Sequence, residues 1–156
     1  MKSLICAILL TFSLAGAAAD PVAWKLADGP AKAVKPGARF TVNLVARVEE
    51  GWHLYSMKHV EDGPVATRIW LADGQPFQLA EAVKSSRPET LQDPSFNMEV
   101  ELYEGEATFT LPLKVAAGSA AGAQTLVVNA SYQSCNNKIC LPPKTVKVEL
   151  PVTVAK

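Results

Sequence analysis

The sequence has few cysteines, no long hydrophobic run and no excess of charge of either sign. It carries 15 basic and 15 acidic side chains, which gives a formal net charge of 0. Interspersed charges of this kind argue against nucleic acid and anionic membrane surfaces as partners, because both attract basic patches. No apolar run has the 18 or more residues that a transmembrane helix needs, so we expect no stable membrane insertion.

The N-terminal residues have the organisation of a secretory signal peptide. A lysine precedes the apolar run Leu4–Leu14, and Ala17–Ala19 supply small residues directly before Asp20. The run is too short to cross a bilayer, and a lipoprotein signal would have a cysteine where Asp20 stands. We therefore expect cleavage after Ala19, secretion, and one mature domain formed by residues 20–156.

The chain also lacks helical periodicity and internal repeats. Apolar and polar residues instead alternate over 40–48, 107–115, 126–132 and 146–154, and this period of two indicates strands with one buried face. Shorter strands are predicted near residues 24–26, 52–55, 68–71, 77–83 and 100–103. The pattern predicts an all-β fold, an immunoglobulin-like antiparallel β-sandwich.

Two longer segments have little strand periodicity. Met57–Thr67 contains a Gly-Pro turn signal, and Ser85–Phe96 contains two prolines. We expect loops in both places, and a loop of about a dozen residues in a compact domain is usually functional or disordered.

Only two cysteines remain once the signal peptide, with Cys6, is removed. Cys135 and Cys140 lie between the last two predicted strands, within the segment 131–143 that reads Ser-Tyr-Gln-Ser-Cys-Asn-Asn-Lys-Ile-Cys-Leu-Pro-Pro. They are too close in sequence to join two sheets as the disulfide of antibody domains does. A bond between them would close a small local ring.

The residues alone leave three interpretations of this pair open. A structural disulfide is common in secreted proteins, but so short a ring contributes only about 2 kcal/mol. A metal site would add His53 and His59, or for copper Met57 or Met98, although the spacing matches no common zinc pattern. Dithiol–disulfide exchange needs two sulfurs that can bond to each other and remain open to a partner thiolate, as a loop at a strand end allows.

Three blocks of the chain resemble the N-terminal (alpha) domain of the thiol:disulfide interchange protein DsbD. They are Gly51–Ser56, Phe96–Tyr103 with Thr110–Leu113, and Tyr132–Pro143, and the last is the most specific. The resemblance implies an immunoglobulin-like periplasmic thiol:disulfide oxidoreductase without a cofactor or metal. In that family the domain receives reducing equivalents from a membrane-embedded part through a thioredoxin-like domain. It passes them to periplasmic partners such as disulfide isomerases and cytochrome c maturation factors.

The resemblance also implies roles for five side chains. By position, Cys140 corresponds to the cysteine that forms the mixed disulfide with a partner, and Cys135 to the one that resolves it. Phe96 corresponds to the aromatic tip of a cap loop over the sulfurs, and Tyr55 and His53 to neighbouring aromatic positions in the wall of the site.

The sequence departs from the family pattern in three respects. The cysteines are separated by one residue fewer than in the best-known members, and Pro94 and Ser95 replace acidic residues before the cap aromatic, with Asp93 displaced. The chain reaches Lys156 without membrane or thioredoxin-like parts. We therefore expect a monomeric stand-alone domain that works with thioredoxin-like proteins and a separate membrane electron donor. The alternative is a non-catalytic binding or adaptor domain with a structural disulfide.

Overall fold

The computed structural model describes residues 20–156, and the predicted signal peptide, with Cys6, lies outside the described residues. All regular secondary structure in residues 20–156 is β-strand. In this part of the chain there is no helix with the length and hydropathy needed to span a membrane. The all-β prediction is confirmed.

The strands follow one another along the chain with short connections. Their bounds are β1 Val22–Ala27, β2 Arg39–Val48, β3 Trp52–Tyr55, β4 Arg68–Leu71, β5 Phe77–Leu79, β6 Lys84–Ser85, β7 Glu89–Asp93, β8 Met98–Tyr103, β9 Glu106–Val115, β10 Gly122–Tyr132, β11 Ser134–Asn136 and β12 Lys144–Val154.

The strands form three antiparallel sheets. The first has the order β1-β2-β9-β5, with β6 also paired to β9, and the second has the order β12-β10-β4. The third, with the order β11-β3-β8-β7, contains the short strands around the cysteines. The predicted immunoglobulin-like sandwich is therefore confirmed, with an additional sheet that the alternation of residues did not indicate.

The main core lies between the long strands of the first two sheets. Alternate side chains of β2, β9 and β10 are buried there, as the period of two predicts. They include Val42, Leu44, Ala46, Ala107, Phe109, Leu111, Leu113, Leu126, Val128 and Ala130. Neither cysteine belongs to this core, so its packing does not depend on them.

A second, smaller buried cluster lies on one face of the third sheet. It consists of Tyr55, Val100, Leu102 and Cys135, with the half-buried side chains of Phe96, Met98 and Cys140 packed against it. We call this group the site cluster. It brings together residues from β3, β7–β8 and the cysteine segment.

The predicted loop over Ser85–Phe96 is wrong for much of its length. Residues 89–93 form β7, which pairs with β8 from Glu89↔Leu102 to Asp93↔Met98, and only residues 94–97 form the turn. As the edge strand of the third sheet, β7 leaves four of its five side chains exposed, so burial imposes little alternation on its sequence. The other expected loop, Met57–Thr67, contains no strand.

Candidate functional site

The cysteine segment lies where the chain leaves the second sheet and joins the third. Tyr132, the last residue of β10, pairs with Lys144, the first residue of β12. Between them, β11 pairs with β3 through Cys135↔His53. Cys135 and Cys140 form a disulfide with their Cα atoms 4.1 Å apart, so the predicted local ring is present.

The ring is a narrow β-hairpin. The backbone N–H of Asn136 donates to the carbonyl of Ile139, and that of Leu141 donates to the carbonyl of Ser134, both at 2.9 Å. The Asn136 side-chain oxygen accepts the backbone N–H groups of Lys138 and Ile139. These bonds lie on both sides of the disulfide, so the two sulfurs are held on a fixed backbone.

Asp20 fastens the base of this segment to the start of the domain. Its carboxylate accepts the Tyr132 hydroxyl at 2.5 Å and the Lys144 ammonium at 2.7 Å. Burial alone would raise the pKa of Asp20, but the bonds from Lys144, Tyr132 and the Val22 backbone hold it below its ordinary value. Both ends of the cysteine segment are thus tied to one ionised group.

The two cysteines differ in accessibility. Cys135 is 0% exposed and belongs to the site cluster, whereas Cys140 is only half-buried. Exchange requires a thiolate to reach one sulfur of the disulfide. In this arrangement Cys140 is the residue that a partner can approach from solvent.

The turn between β7 and β8 carries Phe96 to the site cluster. Its ring meets the ring of Tyr55 edge-on, with centroids 6.0 Å apart. Asn97, the next residue, has a φ of 53°, in the left-handed region that asparagine tolerates better than most residues. Phe96 is therefore held at the tip of a tight hairpin.

Asp93, which is displaced in sequence from the acidic positions of the family, is also part of the site. Its side chain is 2% exposed, and one oxygen accepts the Tyr55 hydroxyl at 2.6 Å. The other accepts the backbone N–H groups of Ser95 at 2.7 Å and Phe96 at 3.4 Å. The Asp-Pro-Ser sequence was the available signal, because aspartate commonly bonds the backbone two residues ahead in turns.

His53 and Tyr55 lie next to each other on β3, and Tyr55 belongs to the site cluster. The His53 Nε2 atom lies 3.1 Å from the Tyr55 hydroxyl and 3.8 Å from an Asp93 oxygen. Burial, followed by the bond to Asp93, raises the pKa of Tyr55, so this hydroxyl stays protonated. Burial also lowers the pKa of His53, outweighing the opposite effects of Asp93 and Glu104.

The residues of the metal hypothesis are not all gathered at this site. His59 is exposed and lies 3.7 Å from Glu61, while His53 contacts Tyr55. Within residues 20–156 there is no group of three or more histidine, cysteine, aspartate or glutamate side chains with metal-binding geometry.

Comparison with known proteins identifies a family for this chain. The family model described as thiol:disulfide interchange protein DsbD, N-terminal, matches residues 24–151. The reduced N-terminal domain of DsbD from Neisseria meningitidis is similar at 19% identity and a TM-score of 0.51, over 72% of this chain and 77% of that one.

The N-terminal periplasmic domain of ScsB from Proteus mirabilis is similar at 16% identity and a TM-score of 0.50. That match covers 74% of this chain and only 42% of the ScsB chain. The curated proteins include no match. At these identities the solved structures show the shared fold, and the family match, which spans most of the sequence, shows that the chain belongs to the family of DsbD N-terminal domains.

Proposed function

We propose that this protein is a periplasmic thiol:disulfide oxidoreductase that exchanges the Cys135/Cys140 pair with the disulfides and dithiols of other proteins. The observation that carries the proposal is the unequal setting of the two cysteines, one fully buried and one reachable from solvent. Exchange through a mixed disulfide uses one accessible sulfur and one protected sulfur that resolves the intermediate.

The separation of the disulfide from the main core also supports this proposal. The main core contains neither cysteine, and the bond closes a ring with a sequence separation of only 5. By chain entropy such a ring stabilises the fold by about 2 kcal/mol. The domain buries a large core without it, so stability alone gives a weak reason for the bond.

The steps of exchange follow from the accessibility of the sulfurs. In the oxidised protein, a donor thiolate attacks Cys140 and Cys135 leaves as a thiolate. A second donor thiol then attacks the mixed disulfide and releases Cys140. In the reduced protein, the Cys140 thiolate attacks a partner disulfide, and Cys135 attacks Cys140 to release the partner as a dithiol.

Phe96 acts as a cap in this scheme. Phe96 and Cys140 both pack against the site cluster, which contains Cys135, and an aromatic ring there limits the access of water and small thiols and can contact sulfur favourably. A protein partner displaces the cap when it docks, so the pair reacts with proteins in preference to free thiols.

Family membership supports the partners and the location that we propose. The donor is a separate membrane-linked or thioredoxin-like protein, and the acceptors are periplasmic thioredoxin-like proteins, including disulfide isomerases and cytochrome c maturation factors. The signal peptide predicted at residues 1–19, cleaved after Ala19, delivers the domain to the periplasm, where it works as a monomer.

A trapping experiment tests the assigned roles. Cys135→Ala should accumulate a mixed disulfide between Cys140 and thioredoxin-like partners, because the resolving thiol is missing. Cys140→Ala should form none, because the remaining cysteine is buried. The adducts are separated by non-reducing electrophoresis and the linked cysteine is identified by mass spectrometry, with the double variant as the control. An adduct through Cys135 in the Cys140→Ala protein would reverse the roles.

A further inference from the structure

The resolving step requires a group that accepts the proton of the buried Cys135 thiol. A thiol must lose its proton before it can attack a disulfide, because the thiolate is the nucleophile. Cys135 is 0% exposed and is surrounded by the apolar side chains of the site cluster. Solvent does not reach Cys135 in the oxidised protein, and this burial favours a proton acceptor that is part of the protein.

His53 is the titratable side chain directly opposite Cys135. The two residues are cross-strand partners in the β11–β3 pair, and Cβ atoms of such partners lie about 4.5–5.5 Å apart on the same face. At that separation the His53 ring and the Cys135 side chain are neighbours on one face of the sheet. On the same face, Tyr55 follows two residues further along β3 and contacts His53 through Nε2.

The hydrogen bonds among Asp93, Tyr55 and His53 determine which nitrogen of the His53 ring carries the proton. Tyr55 has one hydroxyl proton, which it donates to Asp93 at 2.6 Å. The contact between Tyr55 and His53 Nε2 at 3.1 Å therefore needs its proton on Nε2. A neutral imidazole carries one N–H, so Nδ1, the ring nitrogen nearer the backbone, is left as an acceptor.

We propose that His53 is the base that accepts the proton of the Cys135 thiol during the resolving step, while Tyr55 and Asp93 hold its ring in the required tautomer. This inference rests on the proposed function. The contacts from Asp93 through Tyr55 to His53 then take part in exchange. The same Asp93 side chain also holds the turn that carries Phe96.

The step balances without another reactant. The Cys135 proton moves to His53 Nδ1 and gives an imidazolium and a thiolate. The thiolate attacks Cys140 in the mixed disulfide, so the Cys135–Cys140 bond forms and the bond to the partner breaks. The partner leaves with the electron pair as a thiolate, and the imidazolium returns its proton to that thiolate or to solvent.

The charged groups around His53 are suited to this transfer. Asp93, at 3.8 Å, and Glu104 both favour the imidazolium, whereas burial, the larger effect, keeps the pKa of the resting ring below its ordinary value. The ring is therefore neutral at pH 7 and able to accept a proton. Tyr55 stays protonated and does not compete as a base.

Reaction of the reduced protein with the chromogenic disulfide dithiobis(nitrobenzoate) separates the two steps. Attack by Cys140 releases one thionitrobenzoate, and resolution by Cys135 releases a second. His53→Gln should leave the first phase unchanged and slow the second about 100-fold at pH 7, the lower range of general base catalysis. His59→Gln, at an exposed histidine, is the matched control and should change neither phase. An unchanged second phase in His53→Gln would overturn the proposal.

The pH dependence of the wild-type protein provides a second test that needs no variant. With His53 as the base, the second phase should be nearly constant at neutral pH and should fall as the pH drops through the histidine pKa. A rate that rises tenfold per pH unit through neutrality, as expected for an unassisted thiol, would contradict the role of His53. If the second release is absent in wild type or persists in Cys135→Ala, the proposed function itself fails.

Discussion

The carboxylate of Asp93 connects β3 to the turn that carries Phe96. One oxygen accepts the Tyr55 hydroxyl, and the other accepts backbone N–H groups of the turn. A buried carboxylate is costly unless such bonds satisfy it. The hydrogen bonds of Asp93 therefore hold the turn that carries Phe96 in place.

Replacing Asp93 should loosen the cap. Asp93→Ala removes hydrogen bonds to a charged acceptor, each worth about 1.5–3 kcal/mol, and so should raise the rate at which small thiols reduce the Cys135–Cys140 disulfide by about tenfold. The rate is measured by stopped-flow with glutathione or dithiothreitol. Asp93→Asn, which keeps one acceptor oxygen, should have a smaller effect.

The control for this change is Asp73→Ala, which removes an exposed carboxylate from another turn. It should leave the rate unchanged. If Asp93→Ala also reacts at the wild-type rate, Asp93 stabilises the fold without controlling access to the disulfide.

The β7–β8 hairpin is the element that carries Phe96, the proposed cap. Phe96→Ala removes the ring from the site cluster while it keeps the turn bonds of Asp93, so reduction of the disulfide by glutathione should become faster. Leu91→Ala is a matched control, because Leu91 lies on the same hairpin and is exposed. Equal rates for Phe96→Ala and wild type would remove the cap function.

The long strands could be predicted from sequence because each buries one face. β2, β9, β10 and β12 alternate clearly, and the predicted ranges differ from the observed ones by a few residues at their ends. β7 and β11 could not be predicted in the same way. β7 is an exposed edge, and β11 has three residues, too few to display a period.

The place of Pro112 in the sheet could not be predicted from its sequence neighbours, because it depends on where the adjacent strand is interrupted. A proline has no backbone donor and therefore favours an edge strand or a bulge, yet β9 is an interior strand between β2 and β5. The Pro112 carbonyl accepts from Ala80, so its nitrogen faces the same side. There the neighbouring strand is interrupted between β5, which ends at Leu79, and β6, which begins at Lys84.

The site was only partly predictable for a related reason. The cysteines and the wall residues could be recognised from the sequence blocks they occupy. The bond between Asp93 and Tyr55 joins residues that are 38 positions apart in sequence, and single-sequence patterns carry no information about such pairs. The difference in burial between Cys135 and Cys140 likewise depends on the packing of β3 and β8 against the ring.

Residues 20–156 form two separate buried clusters. The main core accounts for most of the buried apolar side chains, and the site cluster surrounds the disulfide. Reduction of the disulfide should therefore leave the fold intact, which a protein that cycles between two redox states requires.

The stability of variants tests this division. The double change Cys135→Ala with Cys140→Ala should lower the free energy of unfolding by about 2 kcal/mol, the chain-entropy contribution of the ring. Phe109→Ala, in the main core between Trp24 and Tyr103, should lower it by about 3–5 kcal/mol. Urea denaturation followed by tryptophan fluorescence measures both. Loss of folding in the double-cysteine variant would show that the disulfide is structural.

The reduction potential of the Cys135/Cys140 pair tests the exchange function most directly. The mature protein is equilibrated with glutathione or dithiothreitol buffers, and free thiols are counted after alkylation. We expect a potential of about −180 to −270 mV, the range of proteins that exchange thiols and disulfides, with the fold retained in both states. A potential below about −300 mV, together with unfolding on reduction, would contradict the exchange function and identify the disulfide as a structural bond.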